Sequence, residues 1–147
     1  MRLLGLDVGD KTIGVALSDE SATLASGLHT IRRTGLRQDL RELAELARDR
    51  DVGTVVVGLP RSLDGSEGPQ ARKVLAFVEV LKTAVRVPVV TWDERFTTVA
   101  AEQALIEGGV SRGRRKGLID KVAAVLILQN YLDYRKTADA EAGDPPA

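Results

Sequence analysis

The chain has 147 residues, and 21 Lys and Arg balance 21 Asp and Glu, so its formal charge is zero; that length suits one domain with its own hydrophobic core. The absence of cysteine and the presence of a single histidine exclude a disulfide framework, a thiolate zinc site, a cysteine nucleophile and any multi-histidine metal centre. Aromatics make up only 3% of the residues, which argues against a base-stacking platform, and no apolar run approaches the ~20 residues of a membrane span, so the expectation is a cytoplasmic protein with no membrane partner.

Residues 3–8 form a short apolar run that ends at Gly9-Asp10-Lys11, predicting a strand and a tight turn. Residues 12–18 alternate apolar with small or polar side chains, so the pair reads as a hairpin. Residues 24–32 predict a third strand. Leu36, Leu40, Leu43 and Ala47 then recur at helical spacing, predicting an amphipathic helix over 37–50. The β-branched run 53–58 predicts a buried strand, residues 61–69 a loop, and Val74, Phe77, Val78 and Leu81 a helix over 70–83. Another strand is expected over 87–92. A helix should start at Thr97 or Thr98 and stop at Gly108-Gly109, and after a basic loop a last helix is expected over 118–132. From Lys136 onward no apolar period remains, which predicts a domain over 1–135 and a flexible tail over 136–147. Three leading strands followed by β-α-β alternation imply a mixed α/β sheet, antiparallel first and parallel later, flanked by helices.

Three acids stand at element ends. Asp7 closes an otherwise apolar strand, where an ionised carboxylate needs a cation, whether a divalent ion, Lys11 or Arg95, or else a turn-capping role. Asp93-Glu94-Arg95 follows a strand end, where α/β proteins build sites, although acids approaching a helix start also suit the helix dipole. Asp120 is placed by the same reading in the first turn of the last helix, again compatible with a dipole role. Its helical neighbours Ala123 and Ala124 are small enough to bring that helix close over the strand carrying Asp7. Carboxylates holding two hard divalent ions about 4 Å apart are a known device for in-line phosphodiester displacement, and Mg²⁺ or Mn²⁺ needs only oxygen ligands. Lys11, Arg61, Arg95 and the cluster Arg112, Arg114, Arg115 and Lys116 are candidates to position a sugar–phosphate backbone; a charged, solvated loop is the plainer reading of the cluster. His29 reads as structural or superficial, and Trp92, Tyr131 and Tyr134 as packing residues.

Four ordered motifs carry a resemblance: MRLLGLDVGDKTIGVALSD (1–19), VVVGLPRSLDGSEGPQA (55–71), TWDERFTTVAAE (91–102) and KGLIDKVAAVLILQNYLD (116–133). Together they resemble the YqgF/RuvX family of pre-16S ribosomal RNA nucleases, also described as Holliday-junction-resolvase-like proteins. The resemblance implies an RNase H-like fold with a five-stranded mixed sheet. It also implies metal-dependent phosphodiester hydrolysis in 5′-end maturation of 16S rRNA, with Mg²⁺ or Mn²⁺ as cofactor. The implied partner is nucleic acid, pre-rRNA or branched DNA, bound by a monomer or homodimer. Carried onto this chain, the metal-holding and catalytic acids are Asp7, Glu94 and Asp120, with Asp93 as a supporting group. The fourth strand departs from the wider fold, since it ends Gly58-Leu59-Pro60 without a carboxylate. The acid then has to come from the next strand, about 4.8 Å farther across the sheet, which favours the longer Glu94 over Asp93. Junction resolution on DNA and non-catalytic nucleic-acid binding remain the alternatives. A single lobe does not suit the two-lobed nucleotide clamp of actin-like ATPases, whose first turn is similar.

Overall fold

The computed structural model describes residues 1–60, 67–93 and 112–141, without the side chains of 112–121 and 137–141. Its elements are β1 (Arg2–Val8), β2 (Thr12–Ser18), β3 (Ala25–Arg32), α1 (Leu36–Asp49), β4 (Val52–Leu59), α2 (Pro69–Ala84), β5 (Val89–Asp93) and α3 (Arg112–Glu141). The five strands form one sheet in the order β3-β2-β1-β4-β5. β1 pairs antiparallel with β2 and β2 with β3, whereas β1–β4 and β4–β5 are parallel. The expected mixed sheet is therefore the one observed, and the helix expected between residues 97 and 108 lies outside the described residues.

Side-chain alternation separates two faces. On one face Leu4, Leu6, Val8, Ile13, Val15, Val55, Val57 and Leu59 meet Leu43 and Ala47 of α1 and Val74, Phe77, Val78 and Leu81 of α2. On the other, Leu3, Ala16 and Val56 meet Ala124, Ile127, Leu128 and Leu132 of α3. α1 starts at Gly35, whose φ of 155° favours a residue without Cβ, and ends against Asp51 in the left-handed region (φ 56°), where the Asp51 N–H reaches the Arg48 carbonyl. α2 opens with Pro69 in its first turn, where a missing N–H costs nothing.

Two boundaries differ from expectation for physical reasons. β5 begins at Val89 because Pro88 has no N–H to give; its carbonyl still accepts from Val55. α3 is far longer than residues 118–132. The basic residues expected in a loop form its first turns, and it runs past Lys136, where a tail was expected to begin, to Glu141. Arg, Lys, Ala and Glu are strong helix formers that need no apolar stripe to continue a helix already packed elsewhere. None of the helices among the described residues is long and apolar enough to cross a membrane.

Candidate active site

Asp7 is the penultimate residue of β1 and is half-buried. By alternation it shares the α3 face with Leu3 and Gly5. Its partner across β2 is Gly14. On the other side, Gly5 and Leu6 lie beside Val56 and Val57 of β4, so the next steps of that parallel ladder bring Gly58 level with Asp7. The residues directly level with Asp7 on both flanking strands are therefore glycines. Trp92 is the partner of Gly58 on β5 and Asp93 the partner of Leu59. Leu59 belongs to the core beneath α1 and α2, so Asp93 falls on the opposite face from Asp7, against a role beside it.

The expected close approach of the last helix is present. A Cβ on Gly5 would stand 2.7 Å from Leu128 Cβ and 3.1 Å from the Ala124 carbonyl oxygen. No real side chain tolerates the first distance, so β1 needs glycine at this crossing. Ala123 and Ala124 are buried, as small residues at a tight contact should be. Toward its C-terminus α3 moves to the start of the sheet: Gln129 Oε1 accepts from the Ala25 N–H, and its Nε2 donates to the Thr23 carbonyl. Ala25 pairs with Ser18, whose Oγ accepts from the Leu3 N–H. Following the helix the other way, from Ala124 toward position 120, leads from Gly5 toward the Asp7 end of β1. Positions 120, 124 and 128 form one helical stripe. The helix dipole is not a reason for an acid at 120, because that position lies about two turns inside α3 and the dipole acts only over the terminal turn.

Other expected residues fall as follows. Lys11 is exposed in the β1–β2 turn, and its carbonyl accepts from Arg33 N–H. Arg112, Arg114, Arg115 and Lys116 occupy the first turns of α3, Lys116 one turn before position 120 on the same stripe. Arg61, Glu94 and Arg95 lie outside the described residues. Among the described residues no three His, Cys, Asp or Glu side chains gather to hold a metal ion. His29 is exposed on β3, and Trp92 packs edge-on against Tyr131 at 5.9 Å and tilted against Tyr134 at 5.3 Å.

Sequence reasoning passed over Arg33 and Asp39. Arg33 Nε donates to Asp39 Oδ2 at 2.9 Å, and its Nη1 donates to the Gly9 carbonyl at 2.9 Å. The guanidinium also lies 5.3 Å from the centre of the Phe77 ring. Asp39 is 1% exposed and accepts a second bond from the Thr34 N–H. This pair fixes the turn that directly follows Asp7, while the Gly9 N–H donates to the Thr12 carbonyl and closes the hairpin. A signal was present: Asp39, Leu43 and Ala47 form the buried stripe of α1, and an acid on a buried stripe requires a partner.

The profile of the RuvX family, described as a Holliday junction resolvase, matches residues 1–134. The chain belongs to the RuvX family. A relative from Thermoanaerobacter pseudethanolicus, named "Putative pre-16S rRNA nuclease", is 54% identical over 137 residues, covering 92% of this chain and 99% of its own. One from Caldanaerobacter subterraneus with the same name is 55% identical over 139 residues, covering 94% and 100%. Among solved structures, Thermus thermophilus RuvC in complex with a Holliday junction substrate superposes with a TM-score of 0.57 at 20% identity, covering 92% of this chain and 96% of that one. The fowlpox virus resolvase with Holliday junction DNA gives 0.56 at 12% identity, covering 92% and 99%. At such identities the likeness concerns the fold alone, and the fold of RuvX is the RNase H-like one that its motifs implied.

Proposed function

We propose that this RuvX chain is a nuclease that hydrolyses phosphodiester bonds at the 5′ end of precursor 16S rRNA. Membership of the family and relatives bearing that nuclease name support the activity and the RNA substrate. The observation that carries the site is Asp7, flanked by Gly14 and level with Gly58, beneath a helix whose stripe runs from Leu128 and Ala124 to position 120. A half-buried carboxylate at a strand end, between two glycines and under a closely seated helix, offers oxygen ligands of the kind a hard cation takes. Asp7, Glu94 and Asp120 would hold Mg²⁺ or Mn²⁺, and their all-oxygen donor set fits such ions. Divalent ions held this way activate water and neutralise charge on the leaving oxygen.

The chain's own residues supply positioning. The Arg33–Gly9 bond holds the turn that follows β1, two residues after Asp7. Lys11 on that turn, with Arg112, Arg114, Arg115 and Lys116, would position the sugar–phosphate backbone, which gives affinity with little base readout. Precursor rRNA fragments, single strands and four-way DNA junctions are incubated with Mg²⁺, Mn²⁺ or EDTA, using wild type and Asp7→Asn. The expected result is metal-dependent cleavage of the rRNA fragment, at least 10³-fold slower in Asp7→Asn, with an unchanged thermal transition. Equal cleavage by the variant removes Asp7 from the site. Preference for the DNA junction would make the chain a resolvase, and metal-independent binding without cleavage an adaptor.

A further inference from the structure

A groove runs between α1 and α2 on the face of the sheet opposite Asp7. Its α1 wall carries Arg37, Arg41 and Arg48, and Arg86 stands at its far end beside Asp51. Positions 37, 41, 44 and 48 form one helical stripe, and the residue between the arginines is Ala44, which with Ala47 and Ala84 keeps the floor low. All four guanidinium-bearing residues are exposed. Arg48 Nε reaches Asp49 at 3.3 Å, whereas Arg37, Arg41 and Arg86 make no ion pair with any described residue.

The groove connects to the site. Its first cleft, about 410 Å³, shares Leu36 with a second cleft walled by Val8, Gly9 and Asp10, the residues immediately after Asp7. It shares Ala44 and Ala84 with a third, of about 550 Å³, that ends at Arg48 and Arg86. The three clefts thus stand in series along α1, from the residues that follow Asp7 to Arg48 and Arg86. The length of α1 from Arg37 to Arg48 is about 16 Å at 1.5 Å per residue. That length is enough to face several phosphates of one strand.

We infer that this groove is a second nucleic-acid site, which takes the phosphodiester backbone of the substrate beyond the segment at Asp7. The inference rests on the nuclease reading for the identity of its ligand. Arginine supplies forked donors matched to phosphate oxygens, and a floor of alanines lets a backbone come close without asking for any particular base. Because groove and carboxylate lie on opposite faces, one rigid short segment does not occupy both. A substrate gains from the groove only if it is long enough to fill the segment at Asp7, round the edge of the sheet and then run along α1, which takes more than about six nucleotides. The selected substrate class is therefore a long RNA strand extending from the cut.

The test is binding of a 30-nucleotide precursor RNA in EDTA, across 50 to 300 mM salt, by wild type and the triple variant Arg37→Gln/Arg41→Gln/Arg86→Gln. The expected result is a salt slope shallower by about 2 to 3 and affinity at 100 mM salt lower by about tenfold or more. Binding of a hexanucleotide should be unchanged. An unaltered slope with the long RNA overturns the groove, as does failure of wild type to bind it. With metal present, the variant should raise KM on the long RNA without lowering kcat on the hexanucleotide. If wild type binds with the expected slope but cleaves nothing, the nuclease reading fails and the groove stands.

Discussion

The two faces of this sheet are built from the same strands and do different work. Under α1 and α2, β1 presents Leu4, Leu6 and Val8, β2 presents Ile13 and Val15, and β4 presents Val55, Val57 and Leu59. Under α3 the intervening residues are Leu3, Gly5 and Asp7 on β1, Gly14, Ala16 and Ser18 on β2, and Val56 and Gly58 on β4. The first face is filled with branched aliphatics to the density of an interior. The second tapers from packing at Leu3, through backbone contact at Gly5, to a carboxylate at Asp7. Within one strand, the pleat separates the residues that stabilise the sheet from those available for chemistry.

The largest effect should come from breaking the ion pair at the edge of the packed face. Arg33→Met leaves the Asp39 carboxylate buried without its cation, and loss of one member of a buried pair costs about 3–5 kcal/mol. Urea unfolding should report that loss. The double variant Arg33→Met/Asp39→Leu should regain most of it, while cleavage stays impaired because the Gly9 carbonyl has lost its donor. Full activity in the double variant would reduce the pair to a purely structural role.

On the opposite face, Gly5→Ala pushes a Cβ against Leu128 Cβ and the Ala124 carbonyl. Overpacking of this kind costs about 1–3 kcal/mol. Because α3 must lift from β1 exactly where its stripe leads to position 120, activity should fall by more than stability accounts for, whereas Leu43→Ala on the packed face should destabilise without that excess. Cleavage rates compared at equal fractions folded would separate the two, and a parallel loss in both variants would erase the contrast between the faces.

The smallest effect lies at the amino end of the sheet. Asp19 accepts hydrogen bonds from the Ser21 hydroxyl and from the Thr23 and Leu24 N–H groups. These bonds, the Ser21 hydroxyl foremost, hold its carboxyl at about 2, below its usual 3.8. A carboxyl lowered on folding stabilises the fold fully above its unfolded value, and that contribution is lost as pH falls through the folded value. Wild type should therefore lose stability between about pH 4 and pH 2, and Asp19→Asn should show a shallower decline over the same window. Identical acid unfolding profiles would show that the turn contributes nothing.

Much of the fold was legible in the sequence because it is written in periods. The apolar run of residues 3–8, the alternation of 12–18 and the helical spacing of Leu40, Leu43 and Ala47 each report burial, and that signal is local. Asp7 stood out as a candidate for a related reason, since an acid at the end of an apolar strand contradicts its surroundings. The start and end of α3 were not, because Arg112–Lys116 and the residues after Lys136 carry propensity without an apolar stripe. Asp39 was passed over because its reason for being buried, Arg33, stands on the far side of a turn.

What the sequence by itself determined is the order of the described elements, the alternation that gives a strand two chemically different sides, and the family. Only the tertiary structure decided which strand lies beside which: that Gly14 and Gly58, 44 residues apart, both come level with Asp7, and that Gly5 is the crossing point of α3. Periodicity is a property of neighbours along the chain and is printed in it. The pairing of distant strands and the seating of a helix on one glycine depend on closing long loops and matching surfaces across the sheet, and no local pattern encodes those.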